Sequence, residues 1–509
     1  MTDRIALGGL TVPGGYFVDR PRSAVPFVAG PDTDAAYRHR FTYAGSRSDI
    51  RRTLVAMLAA ARRKVFVASW LLGDDELVDH LVGAAERLRG GVYVISALRP
   101  RDIADAAALE DHLPESEQMV KRRFEALTRR GVYVRARPGC HAKFVVVDDD
   151  VALVSSANLT TRALDETGEN GVVVTDPPEV DRLARLFARL WHDCSLEVPP
   201  GTGYRIADAA RTPWRGTVPP PVTDRPGVIW TCDDEHHILA AVRSLIASAR
   251  EDLLLATFSV DGMRAHPDLV LDPARAAVER GVRVRMLVRA RNNVAGHRAD
   301  LVAFAEAGVE VVGDSLSHAK GVVADRRRGA LFSANFEAAH GLRGGVEVGA
   351  RLDGTPALDE AVRYFTHVME HADQAFVVDP TVAELDQGLR SSWRSPWPLA
   401  REVRVTATDR DWRRLADAAR AGGPVLFERS DGPLSIYAGE SRWRLTPIRD
   451  GAAHTLALER ANDQPATARL ADWFGRRRRD APRAARGLCP ATFERTTGHT
   501  AKEGPLVNA

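Results

Sequence analysis

Two stretches far apart in the chain carry the same reactive residue types at the same spacing. The first reads His141-Ala-Lys143-Phe-Val-Val-Val-Asp148, then six residues, then Ser155-Ser156-Ala-Asn158. The second reads His318-Ala-Lys320-Gly-Val-Val-Ala-Asp325, then six residues, then Phe332-Ser333-Ala-Asn335. Five specified residue types at fixed spacing arise at a given position about once in a few million trials. A lone His-x-Lys pair would ordinarily be an exposed pair without function, but its duplication with matched Ser and Asn reverses that reading. The residue types suit displacement at a phosphodiester: a neutral imidazole attacks phosphorus, and a second, protonated imidazole gives its proton to the leaving oxygen. Lys143 and Lys320 would neutralise the non-bridging oxygens. Asn158, Asn335, Ser156 and Ser333 would donate hydrogen bonds to the charge that develops in the transition state. Such a set takes the place of a metal, so neither a metal nor a cofactor is expected. His236-His237 has no cysteine or third ligand nearby and is not read as a metal site.

These residues need a frame, and the sequence around them repeats too. A helical stretch, 51–63, precedes an apolar strand, 65–70, in the first copy; 237–250 and 253–258 are the counterparts in the second. Next, 76–88 leads through Gly91 into a strand, as 273–280 does through Gly281. A third pair follows, with 120–130 leading to Gly131 and 301–307 to Gly308, each glycine ten residues before a motif histidine. Helices alternating with β-branched strands imply an α/β layered fold in each copy. The segment 201–227, with Pro219-Pro-Pro221 and no apolar periodicity, reads as a linker. The repeat stops near Pro380, and the short alternating runs of 426–458, broken at Asp431-Gly432 and Asp450-Gly451, suggest a small β-rich unit, with a loosely ordered tail from Gly475. The expected organisation is an N-terminal segment over 1–45, one half over 46–200, the linker over 201–227, the other half over 228–380, and an appended C-terminal domain and tail over 381–509.

The doubled motif, in the form HxKx4Dx6(G/F/S)SxN, resembles that of the phospholipase D superfamily, and the resemblance covers roughly residues 46–380. It implies a duplicated α/β fold whose halves meet about a pseudo-twofold axis, and a covalent phosphohistidine mechanism without metal. It also implies a glutamate on the following strand that supports a catalytic histidine. Glu169, 28 residues after His141, and Glu347, 29 after His318, take that role. A carboxylate on the far ring nitrogen would fix the tautomer and favour the charged imidazole. By the same resemblance Asp148 and Asp325 are structural, holding the loop after the catalytic strand, and His141 is the nucleophile with His318 the general acid.

Bulk properties narrow the partner only a little. With 70 basic and 68 acidic residues the formal charge is +2, so attraction to polyanions must come from local patches. Lys121-Arg122-Arg123 with Arg129-Arg130, and the run 476–479, are candidate patches, although charged runs are more often solvated faces. Trp393, Trp397, Trp412, Trp443 and Trp473 could stack on bases but more often form core. The four cysteines, Cys140, Cys194, Cys232 and Cys489, form no CxxC pair and read as reduced thiols; Cys140 aligns with Ser317, which argues for a buried thiol beside His141. No signal-peptide pattern and no long apolar run is present, so a cytoplasmic location without a transmembrane segment is expected. Those features weigh against a lipid enzyme, and both motif aspartates weigh against the tyrosyl-DNA branch. The stretch 155–160, Ser-Ser-Ala-Asn-Leu-Thr, resembles nuclease-type bacterial members, some of them associated with antiphage defence. A nuclease acting on DNA or RNA is therefore the leading expectation. The alternatives are a phospholipase D or phosphatidyltransferase acting on lipids, and a non-catalytic or regulated subunit of a larger complex. The C-terminal domain is an expected docking site for a protein partner, and homo-oligomerisation is open.

Overall fold

The computed structural model describes residues 3–6, 14–20, 25–31, 34–43, 48–110, 116–210, 212–223, 225–292, 294–381 and 384, and beyond them the strands within 402–406, 425–428, 434–438, 441–450, 453–461 and 492–495. The fold is α/β. The chain forms two compact units: one comprises Ser23–Arg289 and Glu306–His371, the other Met1–Arg22, Ala290–Ala305 and Ala372–Ala509.

The first unit contains both copies of the repeat apart from the helix Ala295–Glu306 of the second, all but the last residue of which falls in the other unit, and each copy is built on its own mixed sheet. In sheet order, the first runs Ala207–Asp208, Leu196–Val198, Tyr133–Ala136, Val92–Ile95, Val65–Ala68, Phe144–Val147, Val151–Ser155, Glu169–Val174 and Tyr37–Thr42. Its strands from Val65–Ala68 through Tyr133–Ala136 pair in parallel, whereas Phe144–Val147, Val151–Ser155 and Glu169–Val174 are antiparallel to their neighbours. The second sheet runs Glu235–His236, Gly227–Cys232, Val346–Arg351, Arg328–Phe332, Gly321–Ala324, Asp252–Thr257, Arg283–Arg289 and Glu310–Asp314 within this unit. Two segments depart from the expected boundaries. Tyr37–Thr42 pairs with Glu169–Val174 and so extends the first sheet upstream of residue 46. Ala207–Asp208, inside the proline-rich stretch, adds an edge strand to that sheet.

Local sequence explains the helices. Asp75–Arg87 begins where the Asp74 carboxylate accepts the Leu77 N–H (3.0 Å) and buries Leu77, Val78, Leu81 and Ala84 on one stripe. Glu117–Arg129 begins at Ser116, whose hydroxyl accepts the Met119 N–H (3.3 Å), and buries Val120, Phe124 and Leu127. The helix expected through Arg63 is instead Asp49–Ala60, and its counterpart ends at Ser248 rather than Arg250. The motif aspartates are the reason. Asp148 accepts the N–H groups of Arg62, Arg63 and Lys64 at 2.7–3.0 Å, and Asp325 accepts those of Arg250, Glu251 and Asp252 at 2.8–3.1 Å. Each aspartate thus ends a helix and fixes the start of the central strand beside it. Both sit at positive φ, 56° and 51°, a conformation that Asp tolerates better than most residues.

Where the halves meet, one apolar core includes Phe144, Val146 and Val172 from the first half and Leu254, Val346 and Val348 from the second. The catalytic strands Phe144–Val147 and Gly321–Ala324 are buried along their whole length, as strands covered on both faces must be.

In the second unit, Gly15–Asp19 pairs antiparallel with Gln374–Val378, and Asn292 braces Phe17 through both its backbone N–H and C=O at 2.8 Å. A seven-stranded sheet joins Asp3–Ala6 and Thr492–Arg495 to Glu402–Thr406 and the meander Val425–Glu428, Leu434–Ala438, Ser441–Asp450 and Ala453–Ala461. Asp450 is the last residue of its strand, and Asp431, Gly432 and Gly451 lie outside the described residues. Trp393, Trp397, Trp412, Trp473, Cys489 and the run 476–479 lie outside the described residues.

Candidate active site

Each motif histidine precedes its catalytic strand by three residues, with the lysine two positions on and therefore on the same side. In both halves the lysine folds back so that Nζ donates to its own histidine's carbonyl at 2.8 Å. The halves are tied by two matching backbone bridges. Cys140 pairs with Val346, where the His141 N–H donates to the Val346 carbonyl (3.0 Å); Ser317 pairs with Gly168, where the His318 N–H donates to the Gly168 carbonyl (2.7 Å). The residue after Val346 is Glu347, and the residue after Gly168 is Glu169. Each bridge thereby delivers a glutamate to the histidine of the opposite half.

The side chains bear this out. His141 Nδ1 bonds Glu347 Oε1 at 2.7 Å, and His318 Nδ1 bonds Glu169 at 2.8–2.9 Å. With Nδ1 committed, the reactive nitrogen of each ring is Nε2, and both Nε2 atoms point at one small space. That space holds a third carboxylate. Glu110 Oε1 lies 2.7 Å from His141 Nε2 and 3.8 Å from Lys143 Nζ, while its Oε2 contacts His318 Nε2.

The serines correct an expectation. Ser156 Oγ donates to Glu169 and Ser333 Oγ to Glu347, each at 2.5 Å, so the hydroxyls hold the supporting glutamates rather than facing a phosphate. Thr167 adds a second hydroxyl to Glu169 at 2.9 Å. The asparagines differ from one another. Asn158 accepts the Leu71 N–H (3.2 Å) and keeps its buried Nδ2 without a partner among the described residues, free to donate inward. Asn335 Nδ2 instead donates to Glu337 Oε1 at 3.2 Å.

Electrostatics follow from this geometry. Burial opposes charge on Glu110, but the charges of His318 and Lys143 and the hydrogen bond from His141 outweigh it, holding its carboxyl well below the usual range. Burial likewise opposes a charged His141, yet Glu347 and Glu110 together raise its pKa. Glu169 is held low by His318 and Lys320 against the same burial penalty. Desolvation lowers both lysines, Lys320 to about 8. Burial pushes the Cys140 thiol up to about 11, the behaviour of an inert core thiol.

Sequence reasoning missed three residues that belong here. Trp70 and Phe258 follow the matching strands Val65–Ala68 and Asp252–Thr257 and set their rings edge-on to His141 and His318, each at 4.7 Å between centroids. Their equivalent positions in the two copies were the available signal. Glu110 lies in 96–116, a stretch of the first copy with no counterpart in the second, where only 290–294 separates the equivalent strand and helix. The basic cluster 121–123 is not one open patch, because Arg123 is buried and bonds Asp75 and the Leu72 carbonyl, while Arg129 and Arg130 pair with Glu125 and Glu86.

The family model described as "Cardiolipin synthase, PLD-like domain" matches residues 54–191 and 242–369, more than half of the chain. The protein belongs to this phospholipase D-like, phosphodiester-acting family and carries the domain twice. No curated protein matches its sequence. Among solved structures it is similar to phosphatidylserine synthase of Haemophilus influenzae Rd KW20, with 13% identity over 70% of this chain and 90% of that one (TM-score 0.47). It is also similar to Nuc from Salmonella typhimurium, a phospholipase D family member, with 24% identity over 30% of this chain and 98% of that one (TM-score 0.26). NucT from Helicobacter pylori is similar at 14% identity over 31% and 98% (TM-score 0.25).

Proposed function

We propose that the protein is a metal-independent phosphodiesterase working through a phosphohistidine, and that its substrate is nucleic acid. The observation that carries the chemistry is the convergence of two Nε2 atoms, each with Nδ1 held by a glutamate, on one carboxylate-sized space. In the first step His141 Nε2 forms a bond to phosphorus with its lone pair, the bond from phosphorus to the leaving oxygen breaks, and His318 Nε2–H gives that oxygen its proton. In the second step His318 Nε2 takes a proton from water, the water oxygen bonds phosphorus, and the N–P bond breaks to restore His141. Lys143, Lys320 and the free Asn158 Nδ2 stabilise the equatorial charge. Ser156 and Ser333 act one step back, on the glutamates.

The nuclease reading draws support from the Ser155–Thr160 sequence, and a role in antiphage defence is the setting we propose for it. A second reading, phosphatidyl transfer or lipid hydrolysis, draws support from the description of the matching family. The test is to incubate the full-length protein in excess chelator with labelled DNA, labelled RNA and phosphatidylglycerol vesicles. Cleavage of nucleic acid alone is the expected result. Turnover of lipid alone would replace our reading with the second, and activity that returns only with added magnesium would refute the metal-independent mechanism.

A further inference from the structure

Glu110 is not part of the repeated motif, yet its carboxylate takes the one position from which both histidines can be reached. One oxygen meets His141 Nε2 and the other His318 Nε2, with Lys143 Nζ 3.8 Å from Oε1. A phosphodiester undergoing in-line displacement would have to present its phosphorus, leaving oxygen and non-bridging oxygens in that same space. The side chain is only 2% exposed, so substrate and Glu110 exclude each other sterically. We infer that Glu110 is a chain-borne phosphate mimic that plugs the active site and must withdraw before a phosphodiester can bind.

The plug acts on protonation as well as on space. His141 Nδ1 already donates to Glu347, so a neutral ring would turn its Nε2 lone pair toward Glu110 Oε1 at 2.7 Å. His141 is therefore held with a proton on Nε2 while Glu110 is in place, in keeping with the rise in its pKa that Glu347 and Glu110 cause. An imidazolium has no lone pair with which to attack phosphorus. Seven ionisable groups crowd the space: His141, His318, Lys143 and Lys320 with Glu110, Glu169 and Glu347. Withdrawing Glu110 removes a negative charge from this cluster, which favours entry of a phosphate anion and loss of the His141 Nε2 proton.

The element that carries Glu110 is suited to withdrawal. Helix Pro100–Leu109 packs through Ala106 and Ala107 on Leu71, with Trp70 alongside, in a small cluster joined to the larger core of the first half through the partly buried Ile103. Leu109, beside the plug, is 60% exposed. Opening this helix therefore breaks few apolar contacts and leaves both sheets intact. Trp70 links the two states, since its ring lies under the helix and edge-on to His141.

The inference rests on the site being a phosphoryl-transfer centre, not on nucleic acid as its substrate. It is tested on full-length E110Q and E110A, using inorganic phosphate for binding by calorimetry and bis(4-nitrophenyl) phosphate for turnover. Both variants should bind phosphate more tightly than the native protein, by on the order of 5- to 150-fold, the range of an ordinary coupling between two mutually exclusive occupants. KM for the diester should fall in step, with kcat not reduced. E110D, which keeps the charge on a shorter side chain, should fall between native and E110Q and serves as the readout if the alanine variant does not fold. Unchanged or weaker phosphate binding in E110Q would overturn the plug, and tighter binding with collapsed kcat would make Glu110 a catalytic residue instead. If no protein turns over the diester while phosphate binding tightens as expected, the plug stands and the phosphodiesterase reading fails.

Discussion

The crossed support of the histidines makes a prediction that the linear motif alone would place on the wrong residue. Glu169 shares a half with His141 but bonds His318. If His318 is the general acid, Glu169→Gln should behave as an acid mutant. Replacing the carboxylate removes a buried, charge-assisted hydrogen bond, typically about 1.5–3 kcal/mol. At about 1.36 kcal/mol per factor of ten, that is roughly 10- to 150-fold in rate. The loss should appear in full on a diester with an alkoxide leaving group and largely vanish on a nitrophenyl diester, which leaves without a proton. Glu347→Gln acts on the nucleophile His141 and should slow both esters alike. The assay is single-turnover kinetics on the two esters, repeated in a His318→Ala background, where the nitrophenyl ester still reacts. There, Glu169→Gln should have almost no further effect, because its partner is gone, while Glu347→Gln keeps its full effect. If Glu169→Gln markedly slows the nitrophenyl reaction of the His318→Ala protein while Glu347→Gln leaves it unchanged, the crossed pairing is wrong. If Glu347→Gln is instead the leaving-group-sensitive variant, the pairing stands but the histidine roles are exchanged.

Three more expectations follow from particular contacts. Burial lowers the Lys320 pKa to about 8 from the ordinary 10.5, so its ammonium is present below that value and lost above it. kcat/KM should therefore fall as pH rises through about 8, and the limb should move to lower pH in E110Q, because Glu110 is one of the groups holding that pKa up. Stability should move the opposite way, rising with pH between the two values, since the unfolded chain then binds the extra proton. Asp148→Ala removes the acceptor of three backbone N–H groups at a position with φ of 56°, and should cost roughly 2–4 kcal/mol in urea denaturation. Asp148→Asn, which tolerates that conformation, should cost less, and equal stability of native and alanine proteins would remove the structural role. If the substrate is duplex DNA, log affinity should fall linearly with log salt at about 0.9 per phosphate contacted; affinity that is flat with salt would argue against a nucleic-acid substrate.

Much of this was legible in the sequence because it is local. The β-branched runs, the glycines that end helices and the motif spacing each describe a few neighbouring residues, and they place the strands and the two histidines within a residue or two. The helix ends were less legible. Arg62 and Lys64 suit a helix, and nothing near them in sequence says that their N–H groups will be taken by Asp148, some 85 residues away. The equivalent acceptor, Asp325, ends the second helix at Ser248. Local propensity loses there because one carboxylate satisfying three backbone donors outweighs the few tenths of a kcal/mol that a further helical residue contributes.

The two features of the site that sequence did not reveal share a cause, which is that both depend on how the halves meet. Offsets of 28 and 29 residues invite pairing each glutamate with the histidine of its own half. The backbone bridges at Cys140 with Val346 and at Gly168 with Ser317 decide otherwise, and they exist only once two sheets have packed. A twofold arrangement that exchanges supports in this way makes each half incomplete alone: half one holds His141 and the support of His318, half two holds His318 and the support of His141. Neither histidine has its supporting glutamate until both halves have folded together. Glu110 breaks that symmetry from an insertion in one half only. Any difference in duty between two otherwise equivalent histidines must come from such asymmetric elements, and Glu110 is the one that touches both.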